Sequence, residues 1–197
     1  FGPTKKSPNC FRRAFTLIEL LVVIVIIAIL MSLALRSLPG IFQRAKAGQA
    51  KADANAILAG LKGYFAEYNR YPEVAGGQGE GPYETKQELM DVLMAERSNP
   101  SVRDLNPRLI SFFEPAVTTD KVKGRGYNMR TRQFNDPYGN PFRVYMDMDY
   151  DDQVGVPQGY AGQTGSQYVR KTILVLSAGK DGKFETTDDN VATWLAK

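Results

Sequence analysis

Apolar positions along this chain fall into three regimes. From Phe15 to Leu35 they form one run, opening Phe-Thr-Leu-Ile-Glu-Leu-Leu-Val-Val-Ile-Val-Ile-Ile-Ala, and its only charge is Glu19. At ~1.5 Å per residue the run makes about 31 Å of helix, the thickness of a hydrocarbon core. Next come Ile41, Phe42, Ala45, Ala52, Ala56, Ile57, Leu61, Tyr64, Phe65 and Tyr68, recurring at helical spacing. Lys46, Lys51, Asp53, Lys62 and Glu67 occupy the other faces, so this stretch reads as an amphipathic helix continuing the first. Pro39 lies between the two and is expected to bend or locally melt the helix. The helix should stop before Asn69-Arg70-Tyr71-Pro72, because a residue preceding proline disfavours the α conformation.

The third regime is short and β-like. Phe142 to Met148 and Thr172 to Ser177 are rich in β-branched and aromatic residues, with turn-forming segments before each. Between the helix and these strands, residues 75–82 read as a glycine-rich loop. Tyr83 to Glu96 reads as a short amphipathic helix with Leu89, Val92 and Leu93 on one side. Leu105 to Phe113 fits either a short helix or a buried turn. The pattern thus predicts an α+β fold in which a long N-terminal helix packs on a small antiparallel sheet. Its segments are a basic leader (1–14), a transmembrane and assembly helix (15–38), its amphipathic half (39–72), a variable insertion (73–133) and the sheet (134–197).

Charge sharpens this picture. A carboxylate inside hydrocarbon costs about 2.5–3.5 kcal/mol on insertion scales, so Glu19 needs a purpose. Ahead of it lie Lys5, Lys6, Arg12 and Arg13 with no acid among residues 1–14, which puts that end in the cytoplasm. Of the chain's 25 basic residues these four sit in the leader, and the rest balance 21 acidic ones. No basic stripe remains to track a nucleic-acid backbone. The one cysteine, Cys10, also lies in the leader, so residues 15–197 hold no disulfide. With no histidine and no nucleophile paired to a base, an enzyme reading has no support in the sequence.

Ala14 followed by Phe15-Thr16-Leu17-Ile18-Glu19-Leu20 resembles the class III signal of type IV pilins and type II secretion pseudopilins. The resemblance implies that a prepilin peptidase cuts between Ala14 and Phe15 and methylates the new amine of Phe15. Glu19 then becomes the fifth residue, the one that pairs with the terminal amine of a neighbouring subunit during filament assembly. An ordinary secretory signal has a shorter apolar core and a small-residue site after it. A lipoprotein signal needs its cysteine after the run, and a plain anchor gives no reason for Glu19.

Two acidic clusters bear on metal binding. Asp147-Met-Asp149-Tyr-Asp151-Asp152 begins like an EF-hand loop, but Asp152 stands where glycine is needed and Gln158 where glutamate is, so it reads as a solvated turn. Ser177-Ala-Gly-Lys-Asp181-Gly, with Asp188-Asp189 following, resembles the calcium loop of the major pseudopilin. Calcium would take oxygens from Asp181, Asp188 and Asp189 and from main-chain carbonyls such as those of Ala178 and Lys183. Asp136-Pro-Tyr138-Gly139-Asn140-Pro141 and Trp194 also resemble features of that family. The resemblance covers 14–72 and 134–197 and implies a structural subunit that polymerises with itself. It implies as partners the prepilin peptidase, an inner-membrane assembly platform and an outer-membrane secretin. It also implies a single-pass inner-membrane precursor with a periplasmic head. A pilin serving adhesion, motility or DNA uptake is the alternative.

Overall fold

The computed structural model describes residues 15–77, 79–118 and 124–195, and the side chains of 34–39 lie outside the description. The chain divides into two compact units, Phe1–Phe42 and Gln43–Lys197. Helix α1, Leu17–Tyr68, supplies residues to both. Its assignment runs without a break through Pro39, so the local melting expected there does not occur. Proline removes one helical donor, while the turns on either side keep theirs.

In the first unit every described side chain from Phe15 to Leu33 is exposed in the isolated chain. Among the described residues, no helix is long and apolar enough to cross a membrane. The end of the apolar run, Ala34 and Leu35, falls among the side chains outside the description.

The second unit forms around the remainder of α1. Ala50, Ala54, Ile57, Leu61 and Tyr64 are fully buried, at steps of three and four residues. Ala45, Ala52 and Ala56, expected on this face, point outward, as do Ile41 and Phe42. Ala52 lies two residues, about 200°, beyond Ala50, and alanine is too small to mark a face in sequence. Asp53, expected outside, is buried and accepts two hydrogen bonds from Arg125, at 2.8 and 2.7 Å. The helix ends where the Tyr-Pro signal placed it. Asn69 follows with φ +52, donating to the Phe65 carbonyl at 2.7 Å, a left-handed cap that asparagine tolerates.

Against this face packs a four-stranded antiparallel sheet. It comprises β1 (Tyr83–Glu84), β4 (Arg143–Met146), β7 (Ile173–Ser177) and β8 (Val191–Ala192), in the order β1-β4-β7-β8. Two small hairpins, β2 (Gly126–Asn128) with β3 (Gln133–Asn135) and β5 (Val154–Gly155) with β6 (Tyr168–Val169), flank it in sequence. Val144 pairs with Val175, and Leu176 with Ala192. All five residues of β7 are buried, because alternate side chains serve two cores. Ile173 and Val175 join the helix-side cluster, while Leu176 joins Tyr160, Ala178, Phe184 and Ala192 in a second.

Tyr83 and Glu84, expected to open a helix, are instead the edge strand β1, and the helix is confined to α2, Gln87–Leu93. Pro82 and the pairing of Tyr83 with Val144 take precedence over the helical pattern. The 105–113 stretch resolves into the end of α3 (Val102–Leu105) and an irregular segment that buries Phe113. Residues 73–133 supply Tyr83, Leu89, Met90, Val92, Leu93, Val102, Phe113 and Tyr127 to the main core. Buried Asn106 knots this region: its amide donates to the carbonyls of Val92 (2.9 Å) and Ile110 (2.8 Å), and its oxygen accepts from the Tyr68 hydroxyl (2.6 Å).

Candidate functional site

The first turn of α1 carries the chemistry of the N-terminal segment. Thr16 is the N-cap, and Glu19 is the third helical residue. The Thr16 amide and hydroxyl donate to Glu19 Oε2 at 2.9 and 2.8 Å, and the Glu19 amide donates back to Thr16 Oγ1 at 3.3 Å. This is a capping box, in which two otherwise orphaned donors are satisfied reciprocally. Glu19 therefore has its hydrogen-bond partner within its own chain. The Thr-x-x-Glu spacing ahead of an apolar run is the sequence signal for it. Ala14 lies outside the described residues, while Phe15 is 76% exposed.

The 177–190 loop closes on its own polar groups. Asp189 Oδ2 accepts from the amides of Lys180 (2.6 Å) and Asp181 (3.1 Å). Asp181 accepts from the Lys183 amide at 2.9 Å and the Thr186 hydroxyl at 2.8 Å, and these hold its carboxyl below the usual range. The Lys183 carbonyl accepts from Asn190 Nδ2 (2.9 Å) and lies 3.0 Å from Thr186 Oγ1, whose single hydrogen it shares with Asp181. Gly179 has φ +63, and a Cβ there would lie 2.6 Å from the Asp189 carbonyl oxygen, so the turn needs glycine. Carboxylates and carbonyls make an all-oxygen donor set that suits a hard cation. Asp181, Asp188 and Asp189 nonetheless do not gather among the described residues into one set of converging acidic oxygens.

Beneath the loop sits the 136–141 segment. Asp136 is fully buried, and its Oδ1 accepts from the amides of Tyr138 and Asn140, each at 2.9 Å. Its Oδ2 accepts from the Ser177 hydroxyl at 2.6 Å. Ser177 Oγ in turn accepts from the Gly179 amide (3.2 Å), and Asn140 Nδ2 donates to the Gly179 carbonyl (3.1 Å). Burial pushes the Asp136 carboxyl up, and the Ser177 hydroxyl and backbone amides pull it back. One carboxylate thus ties the start of the loop to the 136–141 turn.

The first acidic cluster is more convergent than its sequence suggested. Asp147, Asp149 and Asp151 meet Glu80, each with an oxygen within 4.8 Å of the others. Glu80 comes from the glycine-rich loop, and nothing in its spacing pointed here. Asp147 is buried, contrary to a fully solvated turn, and accepts from the amides of Asp151 (3.1 Å) and Asp152 (2.9 Å). Glu80 Oε2 accepts from the Gly155 amide at 2.9 Å.

Residues 11–35 match the prokaryotic N-terminal methylation motif. The chain is 29% identical over 183 residues to the type II secretion system core protein G of Aeromonas hydrophila, covering 93% of this chain and 92% of that protein. The motif and this likeness agree with the resemblance to type IV pilins and type II secretion pseudopilins. The chain is also 37% identical over 74 residues to the type IV major pilin protein PilA of Myxococcus xanthus strain DK1622, spanning 38% of this chain and 34% of that pilin. The crystal structure of the major pseudopilin from the type 2 secretion system of enterohaemorrhagic Escherichia coli aligns with a TM-score of 0.36 and 18% identity, over 80% of this chain and 94% of that one.

In the second unit, the fully buried Asp136 should matter to stability more than any exposed loop acid. Asp136→Ala leaves the buried Ser177 hydroxyl and the part-buried amides of Tyr138 and Asn140 without their acceptor, and should lower unfolding free energy by about 2–4 kcal/mol. Urea denaturation followed by Trp194 fluorescence measures this. Unchanged stability would mean that the Asp136 bonds do not brace the loop.

Proposed function

We propose that this chain is a structural subunit of a pseudopilus serving type II protein secretion. The observation that carries the reading is the combination of the N-terminal methylation motif with likeness, along nearly the whole chain, to a type II secretion core protein. The shorter, higher identity to a type IV major pilin supports a surface-pilus subunit as the second reading. In either case residues 1–14 are a leader cut between Ala14 and Phe15 by a prepilin peptidase. The apolar run from Phe15 holds the subunit in the inner membrane with its head outside. From there an assembly platform draws subunits into a filament directed, in the secretion reading, at a secretin.

Assembly replaces one solvent for the exposed apolar face, lipid, with another, the same face of neighbouring copies. The Glu19 carboxylate then pairs with the freed Phe15 amine of the next subunit. Because Glu19 also closes the capping box, Glu19→Ala alone confounds two effects, and Glu19→Gln separates them. Glutamine keeps the capping-box pattern but carries no charge. Both variants should insert into the membrane as well as the parent or better, since a buried charge is gone. Both should lower filament yield by about tenfold or more, the consequence of losing a charge-assisted contact of about 1.5–3 kcal/mol. Sheared-filament yield normalised to membrane-inserted subunit is the measurement. Full assembly by Glu19→Gln would show that Glu19 acts only as a cap.

The 177–189 loop is the proposed calcium site, with Asp181, Asp188 and Asp189 and the carbonyls of Ala178 and Lys183 as its oxygens. An ion bound only to the folded state, at a hundredfold excess over Kd, stabilises by about 2.7 kcal/mol. For a chain of this size that corresponds to about 5–10 °C in Tm. Detergent-solubilised protein should therefore melt higher in calcium than in chelator. Asp188→Ala should abolish the difference and Asp149→Ala should retain it. Loss of the difference in Asp149→Ala alone would assign the ion to the Glu80 cluster instead.

A further inference from the structure

The part of the loop that most resembles a cation's surroundings is occupied by a side chain. Asn190 is buried, and its single amide nitrogen lies within hydrogen-bond reach of four oxygens. These are the Tyr160 hydroxyl at 2.8 Å, the carbonyls of Lys183 at 2.9 Å and Phe184 at 3.4 Å, and the carbonyl of Thr186. Three main-chain carbonyls from a four-residue stretch turn inward on one nitrogen. Such convergence of carbonyl dipoles is unfavourable unless a positive group sits at its centre. An amide with two hydrogens supplies part of that positive charge. The Tyr160 hydroxyl, itself 3.3 Å from the Thr186 carbonyl, completes the cage.

We propose that Asn190 is an internal stand-in for a cation, so that the loop folds without metal and an ion must compete with the Asn190 amide for the Lys183 carbonyl. The inference rests on the calcium reading of the loop and deepens it. The Lys183 carbonyl is common to both sets, being a candidate calcium ligand and an acceptor for Asn190. A carbonyl polarised toward an amide hydrogen donates less to a cation, and the hydrogens themselves repel it. The consequence is a head whose closure is calcium-assisted and not calcium-dependent. The calcium affinity is then set by the residue that follows the paired aspartates.

The test uses the full chain in detergent micelles, with Asn190→Ala and Asn190→Asp as variants. Trp194, the only tryptophan and edge-on to Tyr160 at 5.6 Å between rings, reports melting of this region. In chelator both variants should melt about 4–8 °C below the parent, since the carbonyls lose their donor. In calorimetric titration with calcium chloride both should bind more tightly than the parent, with Kd falling about tenfold or more, the equivalent of one polar contact no longer in competition. Asn190→Asp should bind most tightly, because it keeps the shape and adds a carboxylate oxygen. Parent-like melting of both variants in chelator overturns the stand-in role. Low melting with an unchanged or weaker Kd, while the parent titrates normally, overturns the competition and leaves the calcium reading standing. Absence of calcium binding in the parent and in both variants overturns the calcium reading itself, and the competition with it. Should Asn190→Ala fail to fold, Asn190→Asp gives the same comparisons alone.

Discussion

One helix has to satisfy two different solvents, and that constraint organises the molecule. From Phe15 to Leu33 the described side chains of α1 touch no core of their own chain. From Ala50 to Tyr64 one face is completely buried under the sheet. An apolar surface as long as the first cannot remain in water, since each buried methylene is worth about 0.8 kcal/mol of transfer. Lipid or other copies of the same surface must cover it, and the proposed role as a pilus subunit supplies both in succession. The second stretch makes the helix the floor of the head, so whatever happens to the apolar half happens to a helix that the sheet also grips.

With no disulfide in residues 15–197, the head is held by buried polar contacts placed where the chain is least regular. Asn106 fastens α2 and α3 to the end of α1, Arg125 reaches back to Asp53, and Asp136 ties the start of the C-terminal loop to the 136–141 turn. Each joins segments far apart in sequence. Such contacts add modestly to stability when made and cost more when one partner is lost, so they specify a single arrangement of otherwise loop-rich segments. Asn190 extends the same logic into the loop proposed to bind calcium, where a side chain does what an ion could also do.

The elements with a strong period or a strong stop were legible in the sequence. The apolar run, the helix end at Tyr68 and the strands at 143–146 and 173–177 all follow from patterns a few residues long. The helix face was legible at Ile57, Leu61 and Tyr64, but not at the small Ala52 and Ala56, nor at Ile41 and Phe42, which lie before the buried stretch of the helix. Edge strand β1 was read as helix because its pairing with β4 lies about 60 residues away and leaves no local trace. The candidate sites divide the same way. The Thr16–Glu19 capping box was written in the sequence and overlooked. The convergence of Glu80 on Asp147, and of Lys183 and Thr186 on Asn190, depends on tertiary folding and could not be read from spacing.

The central claim is that the exposed helix is an assembly surface created by processing immediately before Phe15. Mass spectrometry of the N-terminal peptide, from both membrane-extracted and filament-associated protein, tests it most directly. The account predicts a chain beginning at N-methylated Phe15 in the filament fraction. A filament-associated chain that retains residues 1–14, or one that begins beyond residue 30 and so lacks Glu19, would contradict it.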